Sequence, residues 1–185
     1  MNFKPNHGCL NSLWVFIYLL IIYINGPENI DMRYIGVVIH LLRIIDGTPQ
    51  FLFLCRSSCK FKKHCWPIAG KIKKDENPST AAFREIKEET GIVLKQLYDT
   101  GMTVPHIGTN ARPDEKICIY IGFVSPDAKV SLNCEHIDFR WLSFDEATNI
   151  VNPKAQVITR FVLNSIKKNF IDNDPPESLR IVPFI

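Results

Sequence analysis

Residues 70–92 read Gly70-Lys-Ile-Lys-Lys-Asp-Glu76-Asn-Pro-Ser-Thr-Ala-Ala-Phe-Arg84-Glu85-Ile86-Lys-Glu88-Glu89-Thr-Gly91-Ile92. Asn77 followed by Pro78 marks a helix start. The asparagine side chain caps free backbone N–H groups, and proline suits the first helical position. Gly91 suits the left-handed residue that closes a helix. The spacing therefore predicts a helix over 78–90, entered from a polar loop, with Ala82, Phe83 and Ile86 as its apolar stripe. On that helix Glu85, Glu88 and Glu89 stand at i, i+3 and i+4, so they share one face. Three carboxylates side by side repel each other unless a cation joins them. Hard oxygen ligands favour Mg²⁺ or Mn²⁺, and Mg²⁺ usually also carries phosphate. Arg84 can hold its neighbouring carboxylates by forked hydrogen bonds. A solvated helix with ordinary charge pairs would account for Arg84 with Glu88. It leaves the three-carboxylate face and the two glycines unexplained.

The pattern resembles the Nudix hydrolase signature, and Gly70, Glu76, Arg84, Glu85, Ile86, Glu88, Glu89, Gly91 and Ile92 fill its fixed positions. The resemblance implies an α/β fold, an α/β/α sandwich with a mixed sheet and a loop-helix-loop signature. It also implies Mg²⁺- or Mn²⁺-dependent hydrolysis of a nucleoside diphosphate linked to another group. Glu85, Glu88 and Glu89, with the Gly70 carbonyl, are then the expected metal ligands, and Glu76 and Arg84 orient them. A second run, Glu135-His-Ile-Asp-Phe-Arg-Trp-Leu-Ser143-Phe-Asp-Glu146-Ala, resembles Nudix enzymes that take dATP or dihydroneopterin triphosphate. It implies a role for Glu135 as metal ligand or base. The other reading of Glu135 is a surface carboxylate ahead of a strand. Glu88 and Glu135 both stand as candidates for the catalytic base, with Arg84 beside them.

Substrate contacts are expected from Arg56, at the end of a strand, from Trp66, just before the signature, and from Lys71. Trp66 reads equally as a core plug. The leading substrate is a (deoxy)nucleoside triphosphate or dihydroneopterin triphosphate. A diadenosine polyphosphate or capped-RNA hydrolase is the alternative, and a non-catalytic nucleotide-binding module is a third. Nudix family members are often dimers, so a homodimer stays open.

Composition sets wider bounds. The chain has 185 residues, 46% hydrophobic and 22% charged, as expected for a globular domain with a sizeable core. A net charge of +3 is too small for bulk nucleic-acid binding. Lys60, Lys62, Lys63, Lys71, Lys73 and Lys74 cluster around the signature, either as a field for polyphosphate or as a solvated basic loop. Six cysteines in a chain of this size predict reduced thiols in a cytoplasmic protein, without a disulfide framework. Cys55, Cys59, His64 and Cys65 do not match the paired spacing of a zinc site.

Residues 13–24 form an unbroken apolar run, shorter than the ~20 residues of a membrane span. Three readings of residues 1–31 stand open. They are an extension ahead of a start at Met32, a membrane anchor or signal segment, or a segment packed on the domain. Residues 32–171 are expected to form the catalytic domain and residues 172–185 a loose arm. Strands are expected over 34–44, 50–56, 93–102, 117–124 and 139–142, with turns at 46–49 and 125–127. Residues 105–115 read as an exposed loop. Helices are expected over 144–150, capped by Ser143, and over 153–168.

Overall fold

The computed structural model describes residues 32–56, 65–106, 112–151 and 153–183. The apolar run at 13–24, the basic residues at 60–63, Cys59 and His64 lie outside the described residues. Among the described residues, no helix is long and apolar enough to cross a membrane.

The strands are β1 (Arg33–Ile45), β2 (Thr48–Arg56), β3 (Cys65–Trp66), β4 (Ile68–Lys71), β5 (Leu97–Pro105), β6 (Glu115–Phe123), β7 (His136–Leu142) and β8 (Arg180–Ile181). The helices are α1 (Pro78–Thr90), α2 (Phe144–Ile150) and α3 (Pro153–Ile166), and a π-helical turn, Lys167–Ile171, extends α3. The strands join in one mixed sheet in the order β3-β2-β1-β6-β5-β8, with β4 also on β1 and β7 also on β2. Only the β1–β6 pairing is parallel among these.

Side-chain alternation sorts the strands' apolar residues onto two faces. Val37, Ile39, Leu41, Leu52 and Leu54 meet Ala81, Ala82 and Ile86 of α1. Leu42, Phe51 and Phe53 meet Ala147 of α2 and Val162, Leu163 and Ile166 of α3. The result is the expected three-layer α/β/α sandwich. His40 sits on the second face, edge-on to Phe51, and its Nδ1 has no hydrogen-bond partner. Burial pushes this imidazole down to about 4.

Several expectations are corrected. The first turn is shorter than the four residues expected. Asp46 and Gly47 both have positive φ, 49° and 74°, and Ile45 already pairs with Thr48. That is the two-residue turn whose twist matches a hairpin. β5 starts only at Leu97, and Gly101 (φ 66°) interrupts its pairing with β6. Glu115 belongs to β6 and is buried, not part of an exposed loop. The segment expected as a loose arm contains a 3₁₀ turn (Glu177–Leu179) and β8, which pairs Leu97 with Ile181 and Tyr98 with Arg180.

The expectation of reduced thiols is overturned at one pair. The antiparallel register of β2 and β3 sets Cys55 opposite Cys65, and the two form a disulfide. Cys118 and Cys134 are free thiols.

Candidate active site

The helix that carries the acidic cluster forms where its caps place it. Asn77 Oδ1 accepts from the Thr80 backbone N–H at 2.8 Å, and Pro78 opens α1. At the other end Gly91 has φ 70°, and its N–H reaches the Lys87 carbonyl. Ala81, Ala82 and Ile86 bury one stripe of α1 against the sheet. The neighbouring stripe, with Glu85, Glu88 and Glu89, turns toward β4.

Gly70 lies on β4, opposite Val37 of β1. A Cβ built on Gly70 would fall inside the Glu85 carboxylate. Only a residue without a side chain lets this backbone approach the cluster so closely.

Arg84 organises the carboxylates. Its Nε and Nη2 donate to the two oxygens of Glu76, its Nη1 donates to Glu85 at 2.6 Å and Glu88 at 3.1 Å, and Nη2 also reaches the Lys71 carbonyl. Glu76 in turn accepts from the Lys73 backbone N–H. The Arg84 hydrogen bonds hold the Glu76 carboxyl down to about 2. Glu88 also faces Lys73 Nζ at 3.6 Å.

A cavity of about 750 Å³ opens beside this cluster. Gly70, Lys71, Glu85, Glu88 and Glu89 line it, together with Arg56 and Glu135. Arg56 Nη2 lies 3.8 Å from Glu135, with both side chains about half exposed. Glu89 is only 5% exposed. Burial first, then the charges of Glu85 and Glu135, push its carboxyl up to about 7, against Arg56 and a hydrogen bond from the Ala69 backbone. Negative charge is thus crowded at this wall.

Among the described residues, no three His, Cys, Asp or Glu side chains converge on one point as a ready-made cation site. Arg84 Nη1 instead spans Glu85 and Glu88. The donor set nevertheless fits a hard cation. It holds only oxygen donors, an excess of carboxylates on one wall, and a backbone that approaches through a glycine.

The structure thus brings most of the expected residues together. Trp66 is apart from them, packed against the core on the α2–α3 side. Arg33, His106, Glu115 and Asn133, which belong to no motif in the sequence, also line the cavity. A charged residue opening an apolar strand run, as Glu115 does before Ile117–Phe123, was the available signal.

Comparison with known proteins bears on the same residues. A model of the NUDIX domain matches residues 35–161. Bis(5'-nucleosyl)-tetraphosphatase [asymmetrical] of Rattus norvegicus is 33% identical over 125 residues, covering 64% of this chain and 84% of the relative. The Mus musculus protein of the same name is 32% identical over 135 residues, 69% of this chain and 90% of the relative. Among solved structures, a C. elegans Ap4A hydrolase binary complex superposes with a TM-score of 0.60 at 21% identity, covering 72% of this chain and 97% of that one. The E. coli dihydroneopterin triphosphate pyrophosphohydrolase gives 0.59 at 18% identity, covering 78% and 99%.

Proposed function

The chain belongs to the Nudix family, as a Nudix pyrophosphohydrolase, and from that premise we propose that it hydrolyses a dinucleoside polyphosphate asymmetrically. One observation carries the site. Glu85, Glu88, Glu89 and Glu135 share a cavity with the Gly70 backbone, Arg56 and Lys71. The two curated relatives support the choice of substrate, which on sequence alone is the alternative to a triphosphate.

Glu85, Glu88 and Glu89, with the Gly70 carbonyl, would hold Mg²⁺ or Mn²⁺. Such a cation supplies charge neutralisation at phosphate oxygens and lowers the pKa of a bound water. Arg84, braced by Glu76, keeps Glu85 and Glu88 in place. Arg56 and Lys71 hold phosphate oxygens as cations at the rim. Glu88 or Glu135 takes the proton as a water oxygen bonds to phosphorus and the anhydride P–O bond breaks. The leaving phosphate carries away the electron pair.

The experiment is product analysis with the full chain and Mg²⁺. Diadenosine tetraphosphate should yield ATP and AMP, and EDTA should stop the reaction. The triphosphate reading is the second, supported by the Glu135–Ala147 resemblance. Turnover of dATP or dihydroneopterin triphosphate, with the diadenosine compound left intact, would replace the first reading with the second.

A further inference from the structure

At the end of the cavity marked by the start of β1, Glu115 is 8% exposed and fully engaged. Its Oε1 accepts from Arg33 Nη2 at 3.3 Å. Its Oε2 faces His106 Nδ1 at 3.1 Å and the Arg112 backbone N–H at 3.3 Å. Arg33 and His106 are both partly exposed, at 54% and 33%, and both line the same cavity as the signature carboxylates. Arg33 opens β1, and Val37, four residues on, lies opposite Gly70. A bulge between Tyr34 and Gly36 takes up one of those residues, and on β6 the same interval, Glu115 to Cys118, is three residues. At ~3.3 Å per residue, the cluster is therefore roughly 10 Å along the sheet from the Gly70 wall.

We propose that Arg33 and His106, both held by Glu115, form a subsite for a phosphate of the substrate chain beyond the anhydride that is cleaved. This rests on the dinucleoside polyphosphate reading above. A diphosphate at the signature carboxylates is too short to span that distance, whereas each further phosphate of a longer chain extends toward Arg33 within the same cavity. Glu115 uses one of the guanidinium's five N–H donors, leaving the others for a ligand, and one ring nitrogen of the imidazole, whose second nitrogen donates to a phosphate oxygen when the ring carries both protons. A charge-braced guanidinium is suited to phosphate oxygens.

A plain staple joining β5, β6 and β1 is the competing explanation. The backbone already supplies that staple. His106 N–H donates to the Glu115 carbonyl, Glu115 N–H to that of Arg112, and Arg33 N–H to that of Asp114. The side-chain cluster is added to a closure that the backbone already makes. Glu115 is accordingly a positioning residue, and Arg33 and His106 are the contacts.

The test uses the full chain with Mg²⁺ and the variants Arg33→Ala, His106→Ala and Glu115→Gln. Rates are measured on diadenosine tetraphosphate and on dATP. Calorimetry compares inorganic tripolyphosphate with pyrophosphate. The ratio of kcat/KM for the long substrate over the short one should fall about tenfold in each variant, through KM, as expected for a lost charge-assisted hydrogen bond. Tripolyphosphate should lose its advantage over pyrophosphate, and Arg33→Lys should recover part of both effects. Equal changes on both substrates, or none, would overturn the subsite. If the wild-type protein fails to cleave the diadenosine compound, the function reading fails by itself, and the two binding constants still decide the subsite. Should Glu115→Gln not fold, the two partly exposed variants carry the test.

Discussion

Arg84 clasps Glu76 with two parallel hydrogen bonds, Nε to Oε1 at 2.8 Å and Nη2 to Oε2 at 2.9 Å. The clasp ties the loop before α1 to the helix itself. It also fixes the orientation of the guanidinium whose remaining nitrogen reaches Glu85 and Glu88. One planar group therefore positions three carboxylates. A lysine keeps the charge but has no fork. Arg84→Lys is expected to lower turnover about ten- to hundredfold, the range for a lost orienting partner, with the circular dichroism spectrum unchanged. Wild-type turnover from this variant would mean that the clasp is only a brace for the loop.

Gly70→Ala tests the close approach of β4 to the cluster. The new methyl group would displace the Glu85 carboxylate, because it would occupy the same space. We expect Mn²⁺ affinity, followed by paramagnetic resonance, and turnover to fall together, each by about tenfold or more. Unchanged Mn²⁺ affinity in a folded Gly70→Ala protein would remove Glu85 from the ligand set.

Two buried groups give the metal-free protein opposing pH slopes. Glu89 has its folded pKa raised from 4.5 to about 7. The folded state then binds more protons, so this group's contribution is present below 4.5 and is lost as the pH rises to about 7. The contribution is on the order of 3 kcal/mol. His40 runs the other way, with its folded pKa lowered from 6.5 to about 4. Its contribution is full above 6.5 and is lost as the pH falls toward 4. In urea unfolding with EDTA, Glu89→Gln should leave a stability that climbs between pH 4 and 6.5. His40→Leu should leave one that declines over the same range. A Glu89→Gln profile matching the wild type would exclude a raised Glu89 pKa.

The Cys55–Cys65 bridge closes a short loop, with a sequence separation of 10. Cross-links over loops of this length stabilise by roughly 2–3 kcal/mol, mainly by restricting the unfolded chain. Cys55→Ser should lower the unfolding free energy by about that amount, and a reductant should do the same to the wild type but not to the variant. If reductant has no effect on the wild type, the two thiols are unpaired in solution.

What could be read from the chain depended on the range of the interactions. Asn77, Pro78 and Gly91 act on their own backbone, so the bounds of α1 were legible, and with them the face shared by Glu85, Glu88 and Glu89. Ser143 and Glu146 form a capping box within four residues, and α2 was legible for the same reason. Pairings between distant residues were not. Cys55 meets Cys65 only through the β2–β3 register, and Glu115 meets Arg33 only because β1 and β6 run parallel. Trp66 had two readings because local pattern does not say which face of a sheet a side chain meets. Nothing local announced β8, since Arg180 and Ile181 become a strand only by lying against Leu97 and Tyr98.

That last pairing has a consequence for how molecules of this protein keep apart. A sheet margin with unsatisfied N–H and C=O groups is a template for a second chain. Residues 180–181 cover part of that margin on β5 with the protein's own backbone. Removing everything after residue 171 would uncover it at Leu97 and Tyr98, both buried here. The shortened protein would then be prone to self-association that rises with concentration. With these two residues in place the sheet ends at that point on a strand only two residues long, a shorter template than β5 itself would offer.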